Sequence, residues 1–366
     1  MGLVQFRRSA SLSGERLCVS AIAVLTCAIG VLGAASDARV ADAAEKMDRA
    51  AVRQLVGQRA DVNAPQADGM TALHWAARQD DLETAELLVR AGAGVKAASR
   101  YGVTPLALAC ENASAPMVDL LLKAGADPNA ALPGGETPLM TASRTGSVAI
   151  VKTLLARGAR VDGKDDRRGQ TALMWAAAEG HADVASALID SGADVHARLS
   201  SGFTPLLFAV REGRTSVVRL LLRAGADVNE PVPAGQRKGY GGRMPPTGST
   251  PLLLAVQNAH YELAAYLLEE GADPNAALTG YTPLHAITAV RKPGVGDNDP
   301  APEGSGAMSS LELVKTLVAH GADLNAHDAP REPVEHAAER DRRDAVHAGL
   351  ADRRRGADAR ARGARR

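Results

Sequence analysis

Apolar residues in this chain come in short bursts, and the bursts recur. Stretches 82–89, 117–122, 148–155, 184–189 and 217–222 carry leucine, valine and isoleucine at helical spacing, which predicts a short helix in each. Ahead of them stand segments that open with Thr-Pro-Leu or Thr-Ala-Leu, beginning at Thr71, Thr104, Thr137, Thr171, Thr204, Thr250 and Thr282. Proline suits a first helical turn because its missing N–H has no intrahelical partner there. Behind the bursts come Gly-Ala-Asp-like turns, with their alanine at Ala60, Ala93, Ala126, Ala159, Ala193, Ala226, Ala272 and Ala322. In the fifth of these, Gly192 stands where a left-handed helix stop needs a residue without Cβ.

The intervals between the threonines are 33, 33, 34, 33, 46 and 32 residues. A period near 33 with this wording resembles the ankyrin repeat, in which each unit is a β-turn followed by two antiparallel helices. Seven openings in register, each with a downstream Gly-Ala-Asp variant, carry the resemblance across residues 37–328. It implies an all-α, ankyrin-type solenoid of about eight helix-turn-helix repeats joined by β-turn or hairpin loops. Their expected bounds are 37–66, 67–99, 100–132, 133–166, 167–199, 200–246, 247–277 and 278–328. The first lacks the Thr-Pro opening, as a polar N-terminal cap would. The fourth residue after each threonine forms a row, Trp75, Leu108, Thr141, Trp175, Phe208, Leu254 and Ala286, expected in the core between repeats.

Length alone would allow two or three globular domains, but a solenoid grows by repeats without one central core. Aromatic residues are 3% of the chain, which suits thin helical layers. Net charge is zero, yet residues 37–329 hold 28 basic and 34 acidic residues. A mildly acidic repeat body is a poor match for nucleic acid.

Residues 1–36 read as an export signal. Arg7, Arg8 and Arg16 precede an apolar run, and Gly33-Ala34-Ala35-Ser36 offers small residues for cleavage. The expectation is a periplasmic or secreted protein, with no membrane association after cleavage. The alternative is an anchor formed by an uncleaved N-terminal helix. Cleavage removes Cys18 and Cys27 and leaves Cys110 alone, so no internal disulfide forms. Residues 329–366 read either as a degenerate C-terminal cap, with Gly356-Ala357-Asp358 as its turn, or as a disordered Arg/Ala-rich tail.

No phosphate loop, serine elbow, metal-spaced His/Cys set or matched carboxylate pair is present. No catalytic residue, metal or cofactor is therefore expected. The resemblance implies that His74 and His285 bond between neighbouring loops. It also implies a monomeric, non-catalytic scaffold that binds a protein across hairpin tips and first helices. The residues expected on that face are Tyr101, Glu111, Arg144, Arg168, Gln170, Phe203, Arg211, Tyr240, Gln257 and Tyr281, with Val103 and Glu136 beside them. Phe203 and Tyr281, each just before a repeat-opening threonine, are expected on exposed tips. Two interruptions, 231–248 and 291–309, are rich in Pro and Gly. They are either tolerated surface insertions or recognition loops, and an enzyme or accessory protein built on them is the rival reading.

Overall fold

The computed structural model describes residues 37–232, 248–276, 281–291 and 306–326. Residues 1–36, Tyr240 with most of both insertions, and 327–366 lie outside them. The described residues form sixteen helices in eight antiparallel pairs and no strand. The chain divides into two compact units, Met1–Asp194 and Val195–Arg366.

The N-terminal unit holds α1 (Arg39–Glu45), α2 (Arg49–Gly57), α3 (Ala72–Arg78), α4 (Leu82–Arg90), α5 (Pro105–Glu111), α6 (Ala115–Lys123), α7 (Pro138–Thr145), α8 (Val148–Ala156), α9 (Ala172–Glu179) and α10 (Ala182–Asp190). The C-terminal unit holds α11 (Pro205–Arg211), α12 (Thr215–Arg223), α13 (Pro251–Gln257), α14 (Tyr261–Glu269), α15 (Pro283–Arg291) and α16 (Ser310–Ala319). Within each unit, first helices pack against first helices of adjacent pairs.

Helices of seven to ten residues are too short to persist alone, so packing must hold them. The leucine four positions before each turn glycine supplies a buried seam within each unit: Leu88, Leu121, Leu154 and Leu188 in one, and Leu221, Leu267 and Leu317 in the other, are all fully buried. Thr104, Thr137, Thr171, Thr204 and Thr250 cap their helices, each hydroxyl accepting from the backbone N–H three residues on. Each such cap contributes about 1 kcal/mol.

Neighbouring repeats are also laced by polar side chains. Asn129 donates to the Gly158 carbonyl at 2.9 Å and accepts from the Arg160 N–H at 2.8 Å. Asn63, Asn229 and Asn275 make the same paired bonds to the turn of the following repeat. The imidazoles of His181 and His260 reach back to the carbonyls of Arg144 and Arg211 at 3.1 and 3.0 Å. Gly146, at φ +78°, lies flat under the His181 ring, where a Cβ would come within 2.7 Å.

The joints between pairs are closed turns. In one, Ser99 N–H donates to the Val103 carbonyl and Gly102 N–H to the Ser99 carbonyl. Gly102 has φ +72°, and a Cβ there would meet Pro133 of the next joint at 2.7 Å. The Arg100 N–H donates to the Asp68 carbonyl of the preceding joint at 2.8 Å, so successive tips lie side by side.

Candidate protein-binding groove

In the N-terminal unit, the tips and first helices of repeats two to five enclose two adjoining grooves. The larger, about 650 Å³, is lined among others by Asp68, Met70, Arg78, Tyr101, Glu111, Glu136 and Arg144. The smaller, about 490 Å³, is lined by Tyr101, Pro133, Glu136, Arg167, Arg168, Gln170 and Trp175 with their neighbours. Tyr101, Val103, Leu132 and Glu136 belong to both. Tyr101 occupies the third position of its tip turn and stands 70% exposed.

Charge in the grooves is already partly committed. Asp165 accepts three backbone N–H bonds within its own turn, from Arg167, Arg168 and Gln170, at 2.7–3.0 Å. Glu136 accepts from the Thr141 hydroxyl at 3.0 Å and lies 3.8 Å from the Arg144 guanidinium. An ion pair that long and half-exposed contributes little. Arg167 and Arg168, both exposed, bring positive charge to the smaller groove beside the rings of Tyr101 and Trp175.

Five of the ten expected contact residues thus lie on one groove system: Tyr101, Glu111, Arg144, Arg168 and Gln170. Gln170 is a correction, because it is buried: its N–H and carbonyl close the turn with Asp165. Phe203 is a larger correction. It is 1% exposed, its ring meeting Phe208 edge-on at 5.2 Å with the Arg211 guanidinium over both. The reason is the hydrophobic staple, in which the residue before a helix N-cap packs on the fourth residue within the helix. Thr204 is that N-cap, so Phe203 and Phe208 hold the two staple positions. The same two positions in repeat four hold Glu136 and Thr141, joined by a hydrogen bond. Arg211 and Gln257 are half-buried in the C-terminal unit, and Tyr281 is half-buried and stacked on His285 at 6.0 Å. Tyr240 lies outside the described residues.

The row read as core divides. Leu108, Thr141, Phe208, Leu254 and Ala286 are buried. Trp75 and Trp175 are only half-buried, because an indole is too long for the slot that leucine fills. Trp75 donates to the Gln66 side chain at 2.6 Å and carries Arg78 over its ring, whereas Trp175 lines the smaller groove. Sequence reasoning missed Asp68, which holds the tip position of Tyr101, Arg78, which holds the helix position of Glu111 and Arg144, and Arg167, the neighbour of Arg168.

His74 is buried. Its Nδ1 accepts from the Thr71 N–H at 3.1 Å and its Nε2–H donates to the Val103 carbonyl at 3.0 Å. Burial holds its pKa below the usual imidazole value, against the pull of that carbonyl. The imidazole is therefore a neutral bridge between loops. The Cys110 thiol is buried and burial pushes its pKa up to about 12, which removes its nucleophilicity. Among the described residues no group of three or more His, Cys, Asp or Glu side chains is placed to hold a metal ion, and no helix is long and apolar enough to cross a membrane.

Capped helix pairs, stapled entries and turns laced at a period near 33 residues define a helical repeat stack, and in its N-terminal unit the tips and first helices line the two grooves. Residues 40–132 and 139–232 match the family pattern described as ankyrin repeats (3 copies), and 247–277 and 279–329 match that of the single ankyrin repeat. The chain belongs to the ankyrin repeat family. No curated protein matches it. Ankyrin repeats are in general protein–protein interaction modules, and proteins built of them are typically non-catalytic.

Proposed function

We propose that this protein is a non-catalytic scaffold that grips an exported or envelope protein through the grooves of its N-terminal unit. The observation that carries the proposal is Tyr101, a bulky ring left 70% exposed at the seam of both grooves. Tyrosines so placed are frequent hot spots of interfaces. Beside it, Arg167 and Arg168 with Trp175 suit a partner segment in which an acidic residue neighbours an apolar one. Export rests on residues 1–36, and a mature chain beginning between Ser36 and Val40 would support it.

The test is a photo-crosslinking residue at position 101, used to capture the partner from periplasmic extract, followed by affinity measurement. Tyr101→Ala should weaken binding roughly 30-fold, the ~2 kcal/mol of a hot spot. Its stability should change by less than about 0.5 kcal/mol, since the ring is at the surface. Unchanged affinity would remove the groove from the binding face. An intact N-terminus on a cytoplasmic protein would end the exported reading without touching the groove.

A further inference from the structure

The last described helix pair leaves its outer side uncovered. Leu311, Val318 and Leu324 are 56%, 39% and 70% exposed, and they are three of the five large apolar side chains exposed in the described residues. Their equivalents, counted from the turn glycine, are covered elsewhere. Leu82 and Val148 stand where Leu311 does and are half-buried, and Tyr261 is buried. Val89, Leu155 and Leu222 match Val318 and are half-buried. Val95, Val161, Val228 and Pro274 match Leu324 and are half-buried, and Val62 is buried. The following repeat supplies that cover at the earlier positions.

A polar signal points the same way. Asn325 occupies the lacing position held by Asn63, Asn129, Asn229 and Asn275, each bonded to the next turn's glycine carbonyl and to the N–H two residues beyond it. Asn325 itself is exposed, and no repeat follows it among the described residues. Downstream, Gly356-Ala357-Asp358 repeats the turn wording. Gly321 to Gly356 is 35 residues, two more than Gly125 to Gly158. The Asn129 bonds span 29 and 31 residues, and an Asn325 bonded to Gly356 and Asp358 would span 31 and 33. The two-residue excess accounts for both differences.

We propose that residues 329–358 dock on this face as a ninth, C-terminal repeat, with Asn325 bonded to the Gly356 carbonyl and the Asp358 N–H. Val334 and the Ala337-Ala338 pair belong to its first helix, and Ala345, Val346 and Leu350 to its second. Being on the same chain, this segment meets the face at the high effective concentration of a short tether, ahead of any second copy. The docked repeat covers Leu311, Val318 and Leu324 and keeps two chains from stacking end to end through them.

The test uses the full chain with Leu311→Cys or Leu324→Cys, pulse-labelled with a neutral maleimide and read peptide by peptide. Each new thiol should label at least tenfold more slowly than in the same chain carrying Val346→Asp and Leu350→Asp, which undocks the tail without altering the stack. Asn325→Ala should speed labelling of the thiol at 311. Equal labelling with and without the tail substitutions would overturn the proposal. So would protection that survives those substitutions and rises with protein concentration, which would assign the face to a second copy of the chain.

Discussion

Replacing Phe203 by alanine separates a staple from a binding tip. The ring is 1% exposed and meets Phe208 edge-on at 5.2 Å. Truncating a buried phenylalanine costs about 3–5 kcal/mol, transfer and cavity together. Of that, the aromatic pairing accounts for about 0.5–1.5 kcal/mol. Repeat stability sums over neighbours, so the loss should open α11–α14 before the rest of the chain. Urea unfolding followed by circular dichroism, with peptide-resolved hydrogen exchange, reads both the size and the place. Phe203→Leu, which keeps most of the volume, should recover more than half of the loss. A double-mutant cycle with Phe208→Ala should return a coupling near that 0.5–1.5 kcal/mol. A cost below about 1 kcal/mol, with unchanged protection of α11, would refute the staple and return Phe203 to the surface.

His74 is buried neutral with its pKa held down, so the unfolded chain binds the proton more readily. Its contribution should be complete above about pH 6.5 and be lost as pH falls from there through the folded value. His74→Gln should flatten that part of the urea-midpoint profile between pH 7.5 and 5, and parallel profiles would refute the assignment. Cys110 should resist a thiol reagent at pH 8 in the folded protein and react only on unfolding; rapid labelling of its peptide would contradict its burial. Asn129→Ala should cost about 0.5–1.5 kcal/mol, because the exposed bonds to the Gly158 carbonyl and the Arg160 N–H are lost. A neutral result there would show that the lacing bonds merely replace water.

The period, the helix pairs and the buried leucine seam were all legible, because spacing and turn chemistry state them directly. The lining of the grooves was only half legible. Counting from the threonine placed Tyr101, Glu111 and Arg144 there, but the same counting put Phe203 and Gln170 on the outside. The error has one physical source. The residue before the N-cap uses its carbonyl to close the turn and turns its side chain inward onto the helix. That signal was in the sequence, as Phe203 and Phe208 five residues apart around Thr204. The half-burial of Trp75 and Trp175 was not, because it depends on how far an indole overruns a leucine-sized slot.

The tip turns also show how a stack of this kind separates fold from recognition. Each turn is closed by backbone bonds and by a glycine at positive φ, as at Gly69, Gly102 and Gly202. The residue just before that glycine is Asp68 in one repeat, Tyr101 in the next and Ser201 in another. Asp68 takes part in the closure, its carboxylate accepting from the Met70 N–H at 2.9 Å, whereas the Tyr101 ring stands out from its turn into solvent. A tyrosine 70% exposed there loses the burial its ring would gain inside a repeat. The fold gives no return for that loss, whereas a partner laid across the two grooves would cover the ring. The same logic weighs against Phe203 as a contact, since its burial already rewards it within its own repeat. The side chain that does nothing for the stack is therefore the one to mutate first in a search for the partner.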